Sequence, residues 1–129
     1  MSKKLDRIRR QLEAYVQLCE RCCVCRWPKY RPGRRMELHH IVGRRRGMDA
    51  HDHRNLCLLC RDCHEGFHAG GKKNLTLGNI LFAKKEEDGE EMLDLSFLAW
   101  LLGRVGLKED PTPLPEWAIE ERERNEKFR

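Results

Sequence analysis

The chain has 129 residues, of which 40% are apolar, only 7% aromatic and 36% charged, and its formal net charge is +5. That length predicts one domain with a small core, a size at which a metal or disulfide staple is often needed. No apolar run approaches the ~18 residues of a membrane span, and the start MSKKLDRIRR is too charged for a secretory signal, so a cytoplasmic protein is the expectation. Seven cysteines, an odd number without a signal, predict a reducing compartment and thiolate–metal bonds.

In chain order, residues 3–18 read as a helix, because Leu5, Ile8, Leu12, Tyr15, Val16 and Cys19 fall near a 3.6 period with Arg and Lys opposite. The run CERCCVC breaks that pattern, and RWPKYRPGRR, with two prolines and a glycine, reads as a loop. MELHHIV and NLCLLC read as two strands joined by the polar, basic GRRRGMDAHDHR. RDCHEGFHAGG reads as a short helix stopped by Gly70 and Gly71. Next, TLGNILFAKK is compatible with a helix or a short strand, and EEDGEE reads as an acidic linker. Leu93 to Val105 reads as a helix with Asp94 or Ser96 near its cap, EDPTPLP as a connector, and Glu116 to Arg129 as a charged helix started by Pro115. The domain organisation expected is an N-terminal helix (1–19), a chemistry-bearing module (20–73) and an acidic helical extension (74–129).

The charge is segregated along this order. Residues 1–73 carry 18 Lys/Arg against 8 Asp/Glu, and residues 74–129 carry 8 against 13. A polyanion is the natural partner of the basic part, since each phosphate contact releases counterions.

Cys22 and Cys25 form one C-x-x-C and Cys60 and Cys63 another, and two such knuckles can close a tetrahedral zinc site. Cys19 and Cys22 share the same spacing. The pair Cys22/Cys25 is preferred because Cys19 continues the apolar face of the first helix. Cys23 and Cys57 read as buried small hydrophobes. On a helix, His64 and His68 share a face and can hold one ion. On a strand, His39 and His40 point to opposite faces, which suits different jobs.

These residues resemble the HNH endonucleases, whose core is a ββα-metal (His-Me finger) module often built on a treble-clef zinc finger. His40, Asn55 and His64 match the family's H, N and H. His39 and His68 match a branch that includes the colicin nuclease domains. The two knuckles resemble the four-cysteine branch common in phage and bacterial proteins. The resemblance covers about residues 20–70 and implies a metal-dependent DNA endonuclease leaving 5′-phosphate and 3′-hydroxyl ends. It implies His40 as general base and His39, His64 and His68 as ligands of a catalytic divalent ion. It further implies Asn55 as the residue that holds the loop and aims His40, although in some members the equivalent residue ligates the metal. Structural zinc would sit on Cys22, Cys25, Cys60 and Cys63. Zinc or nickel suits three imidazoles, and manganese or magnesium with solvent ligands remains open. The expected fold is α+β, a small zinc-stapled module with flanking helices. The alternative is a zinc-dependent nucleic-acid-binding module that does not cut.

Arg44, Arg45 and Arg46, directly after the histidine pair, are placed to grip DNA backbone, and Lys72, Lys73, Arg34 and Arg35 to extend the track. His51 and His53 match no motif and read as exposed residues or weak phosphate contacts. The extension could complete the core with its Phe97–Trp100–Leu101–Leu102 stripe, bind a protein partner or form a homodimer, or shield the basic surface.

Overall fold

The computed structural model describes residues 2–43, 47–103 and 107–127. It is a mixed helix–strand fold around a two-stranded sheet. The elements are α1 (Lys3–Leu18), β1 (Met36–His40), β2 (Leu56–Cys60), α2 (Arg61–Ala69), α3 (Leu77–Asp88), α4 (Leu95–Leu101) and α5 (Glu116–Glu126). Short 3-10 turns cover Met48–His51, His53–Asn55 and Glu90–Met92. Among the described residues no helix is long and apolar enough to cross a membrane.

The strands pair antiparallel with Met36 opposite Cys60 and His40 opposite Leu56. Every residue of β2 is buried because both of its faces are covered. Leu56 and Leu58 meet Tyr15, Leu12 and Val16 of α1, while Cys57 and Leu59 face the knuckle, Ile80 and Ala83 of α3, and Ala118 of α5. This is why the strand reads as a continuous apolar run rather than an alternating one. Fully burying one leucine here contributes on the order of 1.5–3 kcal/mol.

Chain-distant side chains fix the helices to this sheet. Ser2 caps α1 by accepting from the Leu5 amide. Thr76 and Asn79 form a reciprocal capping box, which settles TLGNILFAKK as helix. The helix runs on through Glu86, Glu87 and Asp88, so half of the expected acidic linker is its last turn. Those acids serve as internal counter-charges: Glu86 to Arg122, Glu87 to Arg21, and Asp88 to Lys84. Asp94, not Ser96, caps α4. In α4, Leu98 is buried against Leu81 and Val42 and Ala99 is also buried, while Trp100, expected in the core stripe, is 61% exposed. The helix phase that buries Leu98 turns Trp100 outward.

The C-terminal extension contacts the module through α5. From α5, Arg122 donates to the carbonyls of Val24 and Cys23, and Asn125 donates to that of Cys25. The hydrophobic clusters therefore cross the expected segment boundaries. Cys23 and Cys57 form a disulfide, where isolated thiols were expected. The Cys23 amide donates to the Leu58 carbonyl at 2.9 Å, which lays the knuckle on β2 and brings the two side chains together. Both residues are buried in the core, as their reading as small hydrophobes expects.

Lys84 is fully buried under the sheet. Its ammonium donates to the His53 carbonyl (2.9 Å), the Leu56 carbonyl (2.6 Å) and Asp88 (2.8 Å), and the Tyr15 hydroxyl donates to the same Asp88 oxygen. Burial pushes the Lys84 pKa down, and Asp88 opposes that shift. Removing one partner strands the other charge, so Lys84→Met is expected to lower stability by about 3–5 kcal/mol in a denaturant titration. A change under about 0.5 kcal/mol, the level of an ordinary surface substitution, would refute this role.

Candidate metal centre and active site

Two clusters of soft and borderline donors flank the β1–β2–α2 unit, one sealed and one open to solvent. The sulfurs of Cys22, Cys25, Cys60 and Cys63 lie within 4.8 Å of one another, and all four residues are completely buried. Cys22 and Cys25 come from the knuckle before β1, Cys60 ends β2, and Cys63 lies in the first turn of α2. The preferred pairing of Cys22 with Cys25 is the one assembled. Cys19 stays with the α1 side, beside Tyr15, where burial raises its pKa to about 11. Contacts with Cys22 first, then with the other thiols, drive Cys60 toward the thiolate and push Cys25 and Cys63 the other way. Four thiols so placed cannot all ionise without a cation among them. Arg34 adds N–H contacts to the Cys25 and Cys60 sulfurs at 3.5 and 3.7 Å, stacks over Trp27, and is held by Glu121. The donor set fits a structural metal such as zinc.

The second cluster is His39, His64 and His68, with ring nitrogens also within 4.8 Å of one another. Its burial is graded: His39 is 5% exposed, His64 intermediate and His68 exposed. His39 sits on β1 opposite Cys57, and its ring packs edge-on against Phe67, His64 and His68. Its Nε2 is buried and has no hydrogen-bond partner, a situation that buried polar atoms rarely tolerate without an ion or water. Burial, with the neighbouring imidazoles, pushes the His39 pKa down to about 4, which keeps it neutral and able to ligate. One turn apart on α2, the Nε2 atoms of His64 and His68 lie 3.0 Å from each other. His64 Nδ1 faces Glu37 at 3.2 Å, and this bond first of all lowers the Glu37 pKa. A carboxylate behind a histidine orients the ring and raises its basicity toward a metal. Sequence reading missed Glu37, although its spacing of two before His39 on a strand puts both on one face. Gly66 lets the chain close over α2, since a Cβ there would strike the Lys73 carbonyl.

His40, the next residue on β1, lies apart from this cluster. Its Nε2 is 3.0 Å from Nδ1 of His51. Burial, then His51, lowers its pKa. Thus His51, read from sequence as an exposed residue, is a neighbour of the expected base. His53 is not free either: its Nε2 meets the Gln11 carbonyl and its ring packs on Tyr15. Asn55 is fully buried, accepts from the Val42 amide (2.7 Å), and donates to the carbonyls of Val42 (3.1 Å) and Ala50 (2.8 Å). Among the described residues its amide contacts go to backbone, which suits loop holding rather than metal ligation.

Of the expected DNA contacts, Arg44, Arg45 and Arg46 lie outside the described residues. Lys72 is exposed. Lys73 is engaged by Asp62 (3.4 Å) and Glu121 (3.2 Å), and Arg34 by Glu121 and Asp62, so neither is a free phosphate grip. Arg35 pairs with Glu37.

A buried four-cysteine cluster that could hold zinc thus lies beside a ββα unit on which three imidazoles converge. Residues 19–70 match the family model for HNH endonuclease. No curated protein and no solved structure matches the chain.

Replacing Cys60 with Ser is expected to remove the bound zinc and the cooperative unfolding transition together. Metal analysis and circular dichroism read both, and a folded, zinc-loaded Cys60→Ser protein would overturn the assignment.

Proposed function

We propose that the chain is a metal-dependent DNA endonuclease that hydrolyses phosphodiester bonds to 5′-phosphate and 3′-hydroxyl ends. The observation that carries this reading is the graded burial of the imidazole cluster. Structural metal sites are closed, whereas catalytic ones keep a position open, and only the histidine cluster runs from a buried floor at His39 to an exposed rim at His68. The tetrathiolate, closed on all sides, is read as the scaffold.

His39, His64 and His68 would hold the divalent ion, which supplies Lewis-acid stabilisation of charge on the phosphate and the leaving oxygen. Glu37 orients His64 for that task. His40 is read as the general base that takes a proton from the attacking water. Its lowered pKa favours the neutral ring that such a base needs. Asn55 fixes the backbone at Val42 and Ala50.

Phosphate gripping is assigned to residues that the fold leaves available. Lys72 is one. The others are on α1, where Lys3, Arg7 and Arg10 line one exposed face together with Asp6. Gln11, next to Arg10, meets His53, so this face begins beside the loop that carries His51. Backbone contacts of this kind position DNA without reading sequence, so low sequence specificity is expected.

In a plasmid-nicking assay with Mn²⁺ or Mg²⁺, His40→Ala is expected to lose roughly 10²–10⁴-fold in rate while keeping its zinc and its affinity for DNA. Wild-type cutting by that variant would remove His40 as the base. DNA affinity should fall steeply with salt, and Arg7→Gln with Arg10→Gln should reduce the slope of log K against log salt by about 0.9 for each phosphate no longer held. An unchanged slope would take α1 out of the DNA interface.

A further inference from the structure

We propose that His51 is a positioning residue for the reaction, holding His40 in the one tautomer that can act as a base; this rests on the endonuclease reading above. A base needs one ring nitrogen with its lone pair facing the reacting water. In His40 the Nε2 position is closed, because His51 Nδ1 stands 3.0 Å away and the two rings meet nearly perpendicular, at 80° with centroids 5.1 Å apart. Nδ1 is therefore the nitrogen of His40 that can take a proton. With His40 neutral, its one N–H proton resides on Nε2 and is donated to His51 Nδ1, which leaves the His51 proton on its own Nε2.

The placement of His51 is built into the fold. It is the last residue of the Met48–His51 turn, and the preceding carbonyl, that of Ala50, accepts from the buried Asn55 amide. The same Asn55 side chain binds both backbone groups of Val42, two residues beyond His40. One buried amide thus fixes both ends of the His40–His51 contact. On the far side, Asp52 turns the chain by accepting from the Arg54 amide, and Arg54 is tied in turn to Asp94 of the α4 cap. Among the described residues, the imidazole of His51 is the side chain hydrogen-bonded to the His40 ring. The His51 ring makes its hydrogen bond to His40 and not to His39, His64 or His68, so the substitution of His51 leaves the expected metal ligands untouched.

The test uses the full-length, zinc-loaded protein. Long-range proton–nitrogen NMR correlation at neutral pH should show His40 protonated at Nε2. In His51→Ala, that single tautomer should give way to a mixture. Cleavage by His51→Ala should fall in kcat by roughly 10–100-fold, with KM and bound zinc unchanged within about twofold. His51→Asn places an amide oxygen near the position of Nδ1, so it should recover much of the missing kcat. Proton on Nδ1 of His40 in the wild-type protein, or full kcat in His51→Ala, would overturn the proposal. So would equal reductions in His51→Ala and His51→Asn accompanied by release of zinc, which would mark a purely structural residue. A wild-type protein that cuts no DNA would sink the endonuclease reading alone, because the tautomer measurement still decides whether His51 holds His40.

Discussion

Four cysteine sulfurs enclosed within 4.8 Å, with no exposed surface on any of the four residues, set the constraint on which the structure depends. The thiols oppose one another's ionisation, and a bound cation relieves that opposition. The elements that meet there are the ones the rest of the fold needs: the knuckle, the end of β2 and the start of α2. Helix α5 then closes the knuckle's backbone carbonyls with Arg122 and Asn125. Structural zinc in small modules has an apparent binding free energy of about 10–16 kcal/mol, comparable to the entire net stability of a domain, about 5–15 kcal/mol. A core this short of aromatic residues gains from such a staple.

The staple also explains the geometry of the second cluster. Cys63 and His64 are adjacent in α2, and Cys60 pairs with Met36 three residues before His39. Anchoring the sulfurs therefore fixes the strand and the helix from which the imidazoles project. The two clusters differ in access rather than in order. One is sealed on all four residues; the other opens to solvent at His68. Between them, Asn55 holds the backbone at Val42 and Ala50, and Lys84 holds it at His53 and Leu56.

The acidic extension works in this protein as a set of internal counter-ions. Glu86, Glu87, Asp88 and Glu121 take up Arg122, Arg21, Lys84, Arg34 and Lys73. The charge separation seen along the sequence is thus partly cancelled in space. The extension pairs several basic groups of the module with carboxylates and leaves those of α1 and Lys72 more prominent among the described residues.

The sequence alone determined the two knuckles, the histidine pairs, the ββα order and the choice of Cys25 over Cys19, because each rests on spacing within one helix, strand or turn. Local geometry converts such spacing into direction. It also pointed to Asn55 as a loop holder, by family resemblance. Only the tertiary structure decided that His51 faces His40, that Glu37 backs His64, that Cys23 meets Cys57, and that Lys84 lies buried under the sheet. It likewise paired Lys73 and Arg34 with Asp62 and Glu121 and turned Trp100 outward. These contacts join residues far apart in the chain or on different elements, and their partners are chosen by how the helices stack on the sheet. No local periodicity encodes that choice.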